Sequence, residues 1–306
     1  MTETAQTAKT AQTAQTAQTA QTARILVTGA TGSVGSRLVP RLVRWAGEQG
    51  SSVRVLVRDA GKAQALAELG VEVVAGDLCE AADRARALEG ADVVLNVAAA
   101  LRGVADETAW AVNRDAAVAL GREAAKAGVE RFVHTSTNLV YGRGLGRPAV
   151  EGDRLAPDPA WGVYAASKAQ AEAGLRALGD ELPLVVVRLA FVYGQGDPHL
   201  AQSLHWAAHW PAHQRLAVVH HADVARALWR AASVPGIGGR TYNVGDDAPL
   251  TAWDLHALNG RVHPGSSPDA PFDPWEGQVS TAAARRELGW RPLYPSAWAA
   301  AEAGAL

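Results

Sequence analysis

The sequence predicts an α/β fold: a doubly wound, parallel sheet with a smaller lobe toward the C-terminus. Three observations predict it. Short Val/Ile/Leu-rich runs recur between residues 24 and 190, continuous rather than alternating, as in strands buried on both faces. Amphipathic helical stretches separate them, and such alternation closes through right-handed parallel crossovers. A glycine-rich turn joins the first strand to the first helix.

Arg24–Thr28 (RILVT) reads as the first strand and 33–45 as the first helix. Strands two to five follow at 53–57, 71–75, 92–98 and 131–136, and Leu184–Leu189 is the sixth. Long helices are expected at 106–127 and 163–179. Beyond residue 190 the pattern loosens as Pro, Gly, His and Trp rise between 194 and 215. A helix is expected over 222–232, a strand at Thr241–Val244, and a helix over 251–258. Residues 261–277 read as loop. The expected division is a tail at 1–23, a main domain at 24–190, and a lobe at 191–306 that partly returns to the sheet.

Composition excludes several classes. Among 306 residues the net charge is −2, with 29 basic and 31 acidic side chains. No electrostatic case arises for nucleic acid or an anionic membrane. No run of 18 apolar residues exists to span a bilayer. The single cysteine, Cys79, permits no internal disulfide and no zinc spacing, which suits a reducing compartment; the expected location is cytoplasmic. The first 23 residues are a Thr-Ala-Gln repeat with no apolar h-region and no arginine, so they read as a disordered tail rather than a targeting segment.

The turn reads Thr28-Gly29-Ala30-Thr31-Gly32-Ser33-Val34-Gly35. Its first glycine permits a tight turn, its second lets backbone approach a pyrophosphate, and its third allows close helix–strand packing. The helix that follows offers free N–H groups to the anion. Gly29, Thr31, Gly32, Ser33, Val34 and Gly35 are therefore expected cofactor contacts, and 24–190 a Rossmann-type dinucleotide-binding domain. Past the second strand stands Arg58-Asp59. An arginine there suits the 2′-phosphate of NADP, and a carboxylate suits the ribose of NAD. Arg58 comes first, so NADP is expected and NAD stays possible; Arg37 could assist.

Tyr164 and Lys168 stand four apart in a helical stretch, on one face. An ammonium stabilises a phenolate and lowers a phenol pKa that is otherwise near 10. Such pairs also arise on helix surfaces by chance. Thr135-Ser136-Thr137-Asn138 closes the fifth strand, where a hydroxyl could hold a substrate oxygen or merely cap a turn.

Taken together these segments resemble the extended short-chain dehydrogenases/reductases of the NAD-dependent epimerase/dehydratase type, over roughly residues 24 to 292. The glycine turn, Gly76-Asp77-Leu78, Asn96-Val97-Ala98-Ala99, the run from Phe132 to Gly142, Tyr164-Ala-Ala-Ser-Lys168, the run from Arg188 to Gly194, Val219 to Ala225, Tyr242 to Gly245, and Glu287 to Trp290 carry the resemblance in order. It implies that Thr137, Tyr164 and Lys168 are catalytic, with Asn113 in support. It implies that Asp77 and Leu78 lie by the adenine and Ala98 and Ala99 line the cofactor. It also implies a homodimer through the helices at 106–127 and 163–179.

The sequence departs from the family at instructive positions. Phe191 stands where nucleotide-sugar enzymes carry asparagine, and an apolar ring cannot supply that amide hydrogen bond. Asn138-Leu139 replaces the Asp-Glu pair of 4,6-dehydratases, removing the elimination acid and base. Asn138 and Phe191 are thus expected on the substrate side. His199, His205, Trp206, His209, Trp210 and His213 form either an aromatic pocket or a small packed core; the second reading is favoured. Histidines at such spacing could suggest metal, but no carboxylate completes a ligand set and hydride chemistry needs none, so no metal is expected. The leading expectation is an NAD(P)-dependent oxidoreductase that reduces a ketone or oxidises a secondary alcohol of a small-molecule substrate. The alternatives are a nucleotide-sugar epimerase with tightly held NAD, and a non-catalytic dinucleotide sensor.

Overall fold

The computed structural model describes residues 22–101, 103–265 and 271–306. The expected tail therefore lies outside the described residues up to residue 21, as does 266–270 of the expected loop. The strands are β1 (Arg24–Thr28), β2 (Ser52–Val57), β3 (Glu72–Ala75), β4 (Val93–Asn96), β5 (Arg131–Thr137), β6 (Leu184–Leu189), β7 (Phe191–Tyr193), β8 (Arg215–Leu216), β9 (Val218–His220), β10 (Thr241–Val244) and β11 (Leu250–Thr251). Seven form one sheet in the order β3-β2-β1-β4-β5-β6-β10, every pair parallel. The order reverses between β1 and β4, so a crevice opens past their carboxyl ends.

Four long helices cover the sheet: α1 (Ser33–Gly47), α2 (106–126), α3 (Val163–Arg176) and α4 (His221–Ser233). Strand β1 shows why both faces had to be apolar. Ile25 and Val27 enter a core with Leu38 and Leu42 of α1 and Val224 and Leu228 of α4. Leu26 enters the opposite core with Leu120 of α2, Phe132 and Leu175 of α3. Each such side chain stabilises the fold by about 1.5–3 kcal/mol when fully buried.

The elements differ from expectation where local pattern is silent. Helix α3 stops at Arg176 rather than 179, because Gly179 takes φ +58° and a short 3-10 turn follows. Strand β4 stops at Asn96, after which the Ala98 N–H leaves the ladder for the Thr28 hydroxyl at 3.3 Å. Helix α2 contains a π segment, Ala111–Ala116, inside its α-helical run.

Beyond β6 the chain builds a small lobe and then rejoins the sheet through α4 and β10. In the lobe β7 pairs with β9 and β8 with β11. Tyr193, Leu200, Val218, Leu250 and Leu255 form its core, with Phe191, Trp206 and Trp210 packed against them. These aromatic rings pack a small core, as the favoured of the two readings held. Among the described residues no helix is long and apolar enough to cross a membrane.

Candidate active site

The glycine turn is shaped by contacts that only hydrogen can make. Gly29 has φ +70°, and a Cβ there would lie 2.6 Å from Cα of Ala98, at the end of β4. A Cβ on Gly35 would lie 2.1 Å from the carbonyl oxygen of Gly29. The turn thus folds against itself and against β4 at the switch point. Gly32 caps α1 without a side-chain hydrogen bond, and no acidic residue occupies the first helical turn. Thr31, Gly32 and Ser33 are exposed and Val34 half-buried. The helix dipole and first-turn N–H groups are therefore open to an anion, which fits a dinucleotide pyrophosphate.

The residues expected around the rest of the cofactor sit at the carboxyl ends of adjacent strands. Arg58 is exposed just past β2. Asp59 accepts a hydrogen bond from the Gly61 N–H at 2.9 Å, so one of its oxygens caps the next turn. Past β3, Asp77 accepts from the Cys79 N–H at 2.9 Å and Leu78 is buried. Past β4, Ala98 is half-buried and Ala99 exposed. Arg37 does not join Arg58 as expected. Its guanidinium donates to the carbonyl oxygens of Gln195 (3.0 Å) and Ser33 (3.0 Å). The reason is a loop, absent from the sequence reading, that crosses the first turn of α1.

Thr137 is the last residue of β5, and its hydroxyl oxygen accepts from the Leu139 N–H at 3.3 Å. Tyr164 is half-buried in the first turn of α3. Lys168, one turn on, is fully buried, and its Nζ donates to the carbonyl oxygens of Thr135 (2.9 Å) and Ala98 (3.5 Å). It therefore ties the end of β5 to the cofactor wall of β4. Burial pushes the Lys168 ammonium down to about 8, against an opposing pull from Glu172.

Asn113 lies in the π segment of α2, fully buried. Its Oδ1 accepts from the Ala100 N–H at 2.8 Å, and its Nδ2 donates to the Ala100 carbonyl (2.8 Å) and Ser167 Oγ (3.1 Å). Ser167 in turn donates to the Tyr164 carbonyl at 2.8 Å. Asn113 thus clamps the segment after β4 to the helix carrying Tyr164 and Lys168. Asn138 donates through Nδ2 to the Gly277 carbonyl at 2.7 Å, pinning the 277 segment beside Thr137. Phe191 meets Trp206 edge-on at 6.2 Å and His199 at 6.4 Å.

Two buried polar networks escaped the sequence reading. In the first, Arg188 of β6 forms a bidentate pair with Glu172 of α3 and donates to the Tyr141 hydroxyl at 2.6 Å; Tyr141 donates to Asn243 Oδ1 at 2.7 Å. Glu172 follows Lys168 by one helical turn, which was the available signal. In the second, Asp197 takes a hydrogen bond from the Ser33 hydroxyl and lies 2.7 Å from His221 Nε2 and 2.6 Å from His199 Nδ1. Asp197 thus links His199 of the lobe to His221 of α4. Among the described residues, however, no group of three His, Cys, Asp or Glu side chains is arranged to hold a metal ion. Burial would raise the Asp197 carboxyl, but its hydrogen bonds outweigh that and hold it at about 2.

Residues 25–245 match the family model described as the NAD dependent epimerase/dehydratase family. A 4-hydroxy-2-methyl-3-oxo-4-farnesyl-3,4-dihydroquinoline-1-oxide ketoreductase of Stigmatella aurantiaca is 31% identical over 270 residues, covering 83% of this chain and 78% of its own. A ceramide reductase of Caulobacter vibrioides is 31% identical over 203 residues, covering 64% of this chain and 58% of its own. The crystal structure of DesIV, a dTDP-glucose 4,6-dehydratase from Streptomyces venezuelae with NAD and TYD bound, superposes with a TM-score of 0.73. It is 26% identical and the match covers 91% of this chain and 95% of that one.

Proposed function

The chain belongs to the NAD dependent epimerase/dehydratase family of extended short-chain dehydrogenases/reductases, and we propose that within it the protein is an NADP-dependent ketoreductase. The observation that carries this reading is Asn138. It follows Thr137 where a dehydratase needs an acid, and its amide is engaged with the Gly277 carbonyl. Similarity to a ketoreductase over most of both chains supports the same reading.

The dinucleotide would be held by the Gly29–Gly35 turn, with Arg58 toward a 2′-phosphate and Asp77, Leu78, Ala98 and Ala99 along its length. When bound, its nicotinamide supplies or accepts a hydride. Thr137 holds the substrate oxygen, and Tyr164 gives that oxygen its proton or takes it back. Lys168 keeps the phenol acidic. Asn113 and Asn138 hold the surrounding segments, and Phe191 presents an apolar wall where a sugar nucleotide would need an amide. A homodimer through α2 and α3 and a cytoplasmic location complete the proposal.

The test is Tyr164→Phe, assayed with NADPH and a panel of ketones beside a titration of NADPH and NADH. Turnover should fall by about 10²-fold or more with NADPH affinity intact. Full activity in that variant overturns the catalytic assignment. Arg58→Ala should weaken NADPH and spare NADH. Stoichiometric NAD carried through purification would instead favour the epimerase reading.

A further inference from the structure

Helices α1 and α4 pack side by side, and each turns a row of arginines toward the other. Arg37, Arg41 and Arg44 recur at helical spacing along α1, and Arg226 and Arg230 stand one turn apart on α4. Arg37 and Arg226 face carboxylates, at 3.9 Å from Asp197 and 3.4 Å from Asp223. Among the described residues no ion pair involves Arg41, Arg44 or Arg230. Arg41 donates to the Arg37 carbonyl at 2.7 Å and Arg230 to the Leu288 carbonyl at 2.7 Å, so main-chain oxygens receive what carboxylates do not. Burial, with Arg44 and Arg37 nearby, pulls the Arg41 guanidinium below its ordinary range.

Between these rows lies a cavity of about 490 Å³. Arg41, Arg44, Arg226 and Arg230 line it together with Trp45, Trp229, Trp290 and Tyr294, and no carboxylate does. Three of these four guanidiniums have no carboxylate partner, and like charges around one void repel one another, while the chain as a whole is slightly acidic. The rings supply flat apolar walls; Trp45 and Trp229 lie 6.1 Å apart, tilted by 36°. Guanidinium forks match carboxylate, sulfonate and phosphate oxygens, and indoles match a planar ring. The volume falls within the range of small-molecule sites.

We propose that this cavity binds a small planar organic anion, an aromatic ring bearing a carboxylate or phosphate, at a site separate from the dinucleotide turn. The test is calorimetric titration of the full chain, its dinucleotide site saturated, with 2-naphthoate, adenosine monophosphate and inorganic phosphate. One of the two ring-bearing anions should bind, and which one binds more tightly separates an aromatic acid from a nucleotide. The double variant Arg44→Ala/Arg230→Ala should lose at least about tenfold in that affinity while remaining folded by circular dichroism. Arg261→Ala, which removes one exposed charge away from the cavity lining, should leave that affinity unchanged. The proposal is overturned by no binding up to about 10 mM, or by equal affinity in the double variant. Equal loss in Arg261→Ala, or inorganic phosphate binding as tightly as either ring, overturns it equally.

Discussion

Glu172 and Arg188 meet as a bidentate ion pair, Nε to Oε1 at 3.0 Å and Nη2 to Oε2 at 2.6 Å, with both side chains buried. The pair joins the helix of Tyr164 and Lys168 to β6. Through Tyr141 it also reaches the turn that follows Thr137. One network therefore ties the helix of Tyr164 and Lys168 to the turn after Thr137. Glu172→Gln leaves a guanidinium buried without its charge partner. Such a change should cost about 3–5 kcal/mol in urea unfolding. The double variant Glu172→Met/Arg188→Met should recover much of that loss, and a double as unstable as the single would contradict the account.

Lys168 makes stability depend on alkaline pH. Its ammonium titrates near 8 in the fold and near 10.5 in the unfolded chain. Between these values the unfolded chain binds more protons, so stability rises with pH across that window. Below pH 8 both states carry the charge and the burial cost is felt in full. Relative to Lys168→Met, the wild-type protein should gain roughly 3 kcal/mol between pH 7.5 and 10.5. A flat difference between the two proteins across that range would refute the assignment.

The glycine turn should tolerate no methyl group at its third position. In Gly35→Ala the new Cβ would meet main-chain atoms of Gly29 and Ala30, which cannot retreat as a flexible side chain would. Dinucleotide affinity should fall by about 10²-fold or more, with a lowered thermal midpoint. Gly47, at the far end of the same helix, has nothing within 4 Å of its notional Cβ. Gly47→Ala should leave binding unchanged and raise stability by up to about 1 kcal/mol.

Asn113 should prove structural in origin and catalytic in effect. Asn113→Ala strands the N–H and carbonyl of Ala100 without partners. A loss of roughly 2 kcal/mol or more is expected in chemical denaturation. Because the clamp reaches Tyr164 through Ser167, kcat should fall as well. Unchanged stability would remove the clamp from the explanation.

The parts legible in the sequence share a physical character. Strands β1, β2, β5 and β6 are five to seven residues long, each with a local cluster of apolar side chains, and the glycine turn is contiguous, so each declares itself over a few positions. Tyr164 and Lys168 are visible as a pair through their helical spacing of four residues. Strands β7, β8, β9 and β11 have two or three residues each, too few for any period, and exist only because distant segments pair. The same holds for the contact of Arg37 with Gln195, 158 residues away. It holds for Asp197, whose hydrogen bond reaches back 164 residues to Ser33. The π segment around Asn113 reads as ordinary helix because one displaced hydrogen-bond register leaves little trace in side-chain periodicity.

A serine hydroxyl owns a single hydrogen, and at Ser33 that hydrogen is given to Asp197. It is not available to a phosphate at the same moment. An anion at the turn would then meet the exposed Thr31 hydroxyl and main-chain N–H groups, whose direction is set by the bend of the backbone. Ser33 works instead as a pin between two halves of the molecule, one end in the turn and the other in the loop that opens the lobe. Its removal should be felt at that contact sooner than at the anion.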